Sequence, residues 1–224
     1  MQKDFRFFLY LCSVKIKNMD KEINNNGFSY VDLGLPSGTL WSTCNVGASK
    51  PSEYGLYFQW GDTNGYTKEQ LGIGEGKKAF RWSDYKFSYQ ESSLAFTKYR
   101  IPGATLDLED DAAHVNMEGD WHMPSPTQAQ ELLDNTKSSW ITQDGINGRL
   151  FTSKKDASKS IFIPAAGYFG YGLVLNDDIE CPLWLSTLDS DYFRDGQHLY
   201  LSPSKAQLSY YYRFYGYPIR GVIG

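Results

Sequence analysis

The chain predicts a mixed fold of short strands and two helices joined by long ordered loops. Three observations carry this. Twenty-one glycines and an aromatic content of 16% in 224 residues indicate many turns and much strand. Short apolar runs end at clusters of Gly, Pro, Asn or Asp. Two segments carry helix start signals. The length fits one large or two small domains with a substantial buried core.

Taken in order, residues 5–14 are apolar but only half of the roughly twenty residues a membrane span needs. Asp4 beside Lys3, and no small-residue cleavage pattern before Lys15, argue against a signal peptide. Three readings stay open: a strand added to the domain, a docking segment for a partner or virion, or translated upstream sequence with Met19 as the start. Asp20 to Gly27, with Asn24, Asn25 and Asn26 in a row, reads as a linker. Residues 1–28 are therefore an extension and linker, and 29–224 the folded domain.

Tyr30 to Leu33 and Thr39 to Cys44 flank Gly34-Leu35-Pro36-Ser37-Gly38, a turn between two strands of a hairpin. Tyr54 to Trp60 is an aromatic run, and residues 62–78 form a glycine-rich surface loop. Ile161 to Pro164 is a short buried strand stopped by proline. One helix begins at Ser125-Pro126-Thr127-Gln128, with Ser as N-cap, Pro at the first helical position and Gln completing a capping box, and ends near Asn135. The other is expected over Leu108 to Asn116, capped by Asp107, with Ala112, Ala113 and Val115 on its buried side.

The segment from Tyr192 to Tyr217 is the most informative. It holds seven tyrosines, Phe193 and Phe214, interleaved with Arg194, Asp195, Gln197, His198 and several serines. Tyrosine offers contact area, a hydroxyl and few torsions to freeze, and this mixture is that of a recognition surface. A core segment would hold more Leu, Ile and Val. A pair of edge strands with half-buried tyrosines is the alternative reading. Alternation in His198-Leu199-Tyr200-Leu201 puts both leucines on one face, and burying them is worth roughly 3–6 kcal/mol. Tyr200 and His198 are then expected to face outward. No strand register buries every ring of Ser209 to Tyr217. Tyr210, Tyr212 and Phe214 are expected to form one exposed patch with Tyr192 and Arg194, over a buried Trp184.

Several functions find no support in the residues. The net charge is −4 and no Lys/Arg run supplies a phosphate track, so nucleic acid is not an expected partner. Cys12, Cys44 and Cys181 have no metal-like spacing, and a Cys44–Cys181 bridge stays open. Glu109-Asp110-Asp111-Ala112-Ala113-His114 reads as a charge cluster at a helix start, with His114 fixed by a carboxylate, more than as a metal site. There is no Gly-x-Ser-x-Gly elbow, and Gly72 to Lys78 lacks the spacing of a phosphate loop. No cofactor and no metal are expected.

A series of phrases, in order, carries a resemblance. They are Val31-Asp32-Leu33-Gly34-Leu35-Pro36-Ser37-Gly38-Thr39-Leu40-Trp41, Cys44-Asn45-Val46-Gly47-Ala48 and Tyr57-Phe58-Gln59-Trp60-Gly61-Asp62. Glu109 to Val115, Gly119-Asp120-Trp121-His122-Met123-Pro124, Ile163 to Tyr168, Trp184-Leu185-Ser186-Thr187 and Ile219-Arg220-Gly221-Val222 complete the series. Over residues 29–224 the chain resembles the Fibrobacter succinogenes major paralogous domain family, common in gut Bacteroidetes and their phages. That family looks like the formylglycine-generating-enzyme branch of the C-type lectin fold.

The resemblance implies an α+β domain with two helices, a small twisted antiparallel sheet and long ordered loops. It also implies that the first and last strands pair. The enzymes' paired C-terminal cysteines are missing, since only Cys181 lies in that half, and the sugar-reading Glu-Pro-Asn, Gln-Pro-Asp and Trp-Asn-Asp phrases are absent. Neither the oxidase chemistry nor calcium-dependent sugar binding carries over. One branch of the fold diversifies its C-terminal segment by retroelement-driven mutagenesis at adenines, for ligand or host-receptor binding. Substitution there excludes Gln197, Lys205 and Gln207 but allows Tyr192, Phe193, Arg194, Asp195, Tyr210, Tyr211, Tyr212 and Phe214. The expected function is non-enzymatic binding of a cell-surface protein or glycan, at a virion or cell surface, through these residues and Tyr200. An assembly module of a virion or fibre, working as a homo-oligomer, is the alternative, and a formylglycine-generating-type enzyme the more distant one.

Overall fold

The first hairpin closes where Gly38 donates its N–H to the Leu35 carbonyl at 3.0 Å. This lets β1 (Tyr30–Asp32) and β2 (Leu40–Ser42) pair antiparallel, with Val31 opposite Trp41. The last strand, β11 (Val222–Ile223), pairs with the other side of β2, so Val222 also stands opposite Trp41. The first and last strands thus share a sheet without pairing directly, which corrects the expectation. The tight turn after β1 delivers β2 to its flank and leaves β11 only the far edge of β2. The computed structural model describes residues 26–91 and 95–224; the expectations for residues 1–25 lie outside the described residues.

Among the described residues three further antiparallel sheets follow. The second joins β3 (Thr136–Gln143), β4 (Ile146–Ser153) and β5 (Ser160–Pro164). Its first turn is Asp144-Gly145, both at positive φ, the geometry a two-residue hairpin wants. The third is the small hairpin of β6 (Tyr168–Gly170) and β7 (Leu173–Leu175). The fourth is β8 (Leu183–Leu188), β9 (Asp195–Leu201) and β10 (Ala206–Tyr212), in the order β10-β9-β8. β10 is therefore an edge strand. With few helices and several small antiparallel sheets, the architecture is α+β.

The two helices differ in how far local sequence determines them. Helix α2 (Pro126–Asn135) has the predicted bounds, and its capping box closes both ways: Gln128 N–H donates to Ser125 Oγ and Ser125 N–H to Gln128 Oε1. The helix expected over Leu108 to Asn116 is instead a 3-10 turn, Leu108–Asp110, followed by α1 (Ala112–Met117). Asp111, not Asp107, is the cap, accepting from the His114 N–H at 2.9 Å and from Met123 N–H at 2.8 Å. Asp110 is drawn aside by Lys86, Lys98 and Tyr99, which interrupts the helix. Ala112 and Ala113 are buried as expected, whereas Val115 is exposed.

Two large cores result. One lies where α2 covers the inner faces of the sheets, and holds Val31, Trp41, Leu132, Phe151, Leu199 and Leu201. The other is dominated by aromatics, including Trp60, Trp121, Trp184, Phe214 and Tyr217. Cys44 and Cys181 are both free, which settles the open pairing, and the buried Cys181 thiol donates to the Ile163 carbonyl. Among the described residues no helix is long and apolar enough to cross a membrane.

Candidate ligand-recognition surface

The loop from β8 to β9 sets the first part of the surface. Asp189 Oδ1 accepts the N–H groups of Asp191 and Tyr192, both at 3.0 Å, and folds the loop back on itself. Arg213 N–H then donates to the Arg194 carbonyl at 3.2 Å, fixing the loop beside the end of β10. The β9–β10 register places Tyr210 opposite Gln197 and Tyr212 opposite Asp195. As a result the Tyr192 and Tyr210 rings lie 6.1 Å apart, and the Arg194 guanidinium sits 4.9 Å over the Tyr212 ring. Tyr192, Tyr210 and Tyr211 are 52%, 48% and 42% exposed, unusual for three neighbouring large rings.

Not every expected member of the patch reaches the surface. Phe214 is fully buried. Past Tyr212 the chain turns inward, where Gln59 Nε2 donates to the Phe214 carbonyl and the ring packs at 4.8 Å from Trp82 and 5.1 Å from Tyr171. An apolar ring with no hydroxyl to satisfy takes that interior place at little cost. Asp195 is buried too, and burial pushes its carboxyl up to about 6. Its nearest cation is Arg194 Nε at 3.9 Å. Phe193 and Tyr212 are half-buried, against Phe96 at 5.7 Å and Trp82 at 5.9 Å respectively. Trp184 is buried, as expected.

Leu199 and Leu201, on the same face of the hairpin as Tyr210, hold the core as alternation predicts, and His198, Tyr200 and Tyr211 lie on the opposite face. His198 and Tyr200 do not face solvent freely, which corrects the expectation. Tyr217 covers His198 with ring centroids 5.0 Å apart, so this face is also packed. Burial pulls the His198 imidazole down to about 3 and keeps it neutral, and its Nδ1 has no hydrogen-bond partner. Tyr200 is half-buried and donates its hydroxyl to Glu180 Oε1 at 2.9 Å. Together with Tyr168, Tyr211 and Tyr217 these residues line a cleft of about 200 Å³. The Tyr211 and Tyr212 rings are 5.3 Å apart, so the aromatic surface wraps continuously around the edge strand.

Trp82, Tyr168, Tyr171, Glu180 and Tyr215 belong to this surface and were not singled out from sequence. A signal for three of them exists. Tyr168-Phe169-Gly170-Tyr171-Gly172 repeats the aromatic–glycine pattern of Phe214-Tyr215-Gly216-Tyr217, and the two stretches touch through Tyr171 and Tyr215. Trp82 and Glu180 carry no such signal.

Elsewhere the charged groups pair among themselves. Asp107, Glu109 and Asp110 converge, but the Lys98 ammonium sits among them at 2.7, 2.8 and 2.5 Å, where a cation would go. His114 is not held by a carboxylate through its ring: Nδ1 lies 3.0 Å from the Trp121 carbonyl, and Asp111 bonds only its backbone N–H. A broad hollow of about 780 Å³ beside Tyr54 is lined by Ser52 and Asp144, already bonded to each other at 3.0 Å. Comparison with known protein families, with curated proteins and with solved structures gives no match.

Proposed function

We propose that this chain is a non-enzymatic binding protein that presents a tyrosine-rich surface on a C-type lectin scaffold of the formylglycine-generating-enzyme type. The observation that carries the reading is the edge of β10, where exposed Tyr210 and Tyr211 join Tyr192 from the β8–β9 loop over a fully buried core. Rigid aromatic anchors on a fixed frame gain contact area at small entropic cost. The partner class is a cell-surface protein or glycan. A retroelement-diversified variable protein of a phage or gut bacterium fits the residues that face outward: Tyr192, Arg194, Tyr210, Tyr211 and Tyr212. Substitution at Asp195 or Phe214 would cost the fold, so diversity there would have to be narrow.

Binding of the purified chain to arrays of glycans and surface proteins tests the reading. A specific partner lost in Tyr210→Ala, with folding intact, supports it. Retention of that partner by a Tyr192→Ala/Tyr210→Ala double variant overturns it. Sequencing the gene across a population tests diversification, with adenine-derived changes expected at the outward codons and absent at Gln197, Lys205 and Gln207.

One observation favours a second reading, assembly. No strand pairs with the outer side of β10 among the described residues, and Ala206 to Tyr212 holds neither proline nor charge to blunt that edge. Strand addition from a second copy would use this edge and cover Tyr211. A stable oligomer in solution that protects β10 amides from exchange supports assembly; a monomer with free exchange there supports ligand display.

A further inference from the structure

The cleft on the inner side of the β9–β10 hairpin has a chemistry distinct from the outer patch. It is lined by the rings of Tyr168, Tyr200, Tyr211, Tyr217 and His198 and by Glu180, with the small polar groups of Asn176 and Ser209. Neighbouring rings meet nearly at right angles: Tyr168 and Tyr217 at 70°, His198 and Tyr217 at 79°, His198 and Tyr200 at 77°. The rings meet edge to face, so aromatic surface lines the cleft on more than one side rather than as a single stacking platform.

The charge points the same way. Among the described residues no lysine or arginine lines the cleft, and Glu180 is its one carboxylate. Asp177, next in the chain to the lining residue Asn176, is already paired with Lys68 at 2.7 Å. His198 is buried and held neutral by burial, so it brings no positive charge to the cleft. The volume of about 200 Å³ is below the roughly 300–1,000 Å³ of sites for drug-sized ligands, so it suits one small head group.

We infer that this cleft is a site for an organic cation, an alkylated ammonium group such as a quaternary amine or a methylated lysine side chain. Ring faces attract the cation electrostatically, and Glu180 supplies the counter-charge. The inference rests on the reading of the hairpin edge as a recognition surface, since Tyr211 belongs to both, and it specifies the chemistry recognised on the inner side.

Titration of the full chain with choline, with its uncharged isostere 3,3-dimethylbutan-1-ol and with a panel of monosaccharides tests this. Saturable binding of choline with none of the neutral isostere is expected. Glu180→Gln is expected to weaken choline by about tenfold, the loss of one charge-assisted contact. Tyr211→Phe keeps the π-face and should bind as the native chain, whereas Tyr211→Leu, on an exposed edge position that tolerates the change, should bind several-fold more weakly. Equal binding of choline and its isostere, an unchanged affinity in Glu180→Gln, or saturation by a monosaccharide instead would each overturn the inference. Tyr210→Ala separates the two readings. Its choline affinity should be unchanged even though the outer partner is lost. An outer partner that binds while choline does not would leave the outer patch standing and remove this site.

Discussion

The Arg213 guanidinium lies 3.5 Å from the centroid of the Phe96 ring, in a position with no solvent exposure. Tyr85 and Trp60 stand 5.4 and 6.0 Å from it, so the cation is boxed by aromatic faces. Nη1 donates to the Tyr99 carbonyl at 3.0 Å, while Nε and Nη2 have no partner. Burial pulls this guanidinium below its usual range. Arg213 follows β10 directly, so the box anchors the recognition strand to the loop that carries Phe96.

A boxed but poorly bonded charge predicts an order among substitutions. Arg213→Met removes the charge and its desolvation cost while filling much of the space, and should cost less than about 2 kcal/mol. Arg213→Ala leaves a cavity and should cost about 3–5 kcal/mol. Arg213→Lys, with a compact and strongly hydrated ammonium, should fall below Met. Urea denaturation gives the order. A lysine variant more stable than the methionine one would show that charge, not packing, holds the site.

The tyrosine patch divides into display and packing, and stability should report the division. Tyr210→Ala touches an exposed ring and should stay within about 0.5 kcal/mol of the native chain. Phe214→Ala opens the aromatic core and should cost about 3–5 kcal/mol. Tyr212→Ala should lie between, near 1–2 kcal/mol, because Arg194 and Trp82 both lean on that ring. A melting temperature of Tyr212→Ala equal to the native one would remove the packing role and leave the ring as pure display.

What the sequence showed, and what it hid, follows from the range of the interactions. The cap at Ser125 was legible because Gln128, the partner it needs, is three residues away. The hairpin at Pro36-Ser37 was legible for the same reason. The break before α1 was not, since it depends on Lys86 and Lys98 reaching Asp110 from outside the segment. Alternation correctly put Leu199 and Leu201 inside, but it counts only one covered face. It could not foresee that Tyr217 would close the other side over His198. Phe214 was misplaced because its partners, Trp82 and Tyr171, come from loops far along the chain.

His198 gives a pH dependence with a definite sign. Its folded value of about 3 lies below the ordinary imidazole value of 6.5, chiefly through burial. Between those values the unfolded chain binds the extra proton and the folded one does not. The stability linked to His198 is therefore complete above pH 6.5 and is lost as pH falls toward 3. The loss should approach about 2 kcal/mol between pH 6.5 and 5. In His198→Gln the corresponding slope should vanish. A stability difference between the two chains that stays constant from pH 7 to 5 would mean the imidazole is solvated or paired in the folded state.

Arg220 is the other fully buried guanidinium among the described residues, and its bonding is the reverse of Arg213's. Nε donates to Asn45 Oδ1 at 2.9 Å, Nη1 to the carbonyls of Ser42 and Thr43 at 3.0 and 2.6 Å, and Nη2 to the Phe162 carbonyl at 3.0 Å. One side chain thus ties β2, the loop after it and β5 to the segment leading into β11. Burial still lowers it, to about 10, but it stays charged at neutral pH. The carbonyls would have no water to turn to if the donors were removed, and each buried orphan costs about 1–3 kcal/mol. Arg220→Met should therefore cost at least about 3 kcal/mol, well beyond Arg213→Met, although both remove a buried charge of the same kind. Arg220→Lys should recover only part of that loss, since three rotating donors cannot reproduce the planar fork. Parallel urea curves for the two methionine variants decide the matter: equal losses would mean that burial alone, not the hydrogen bonds, sets the cost of removing these arginines.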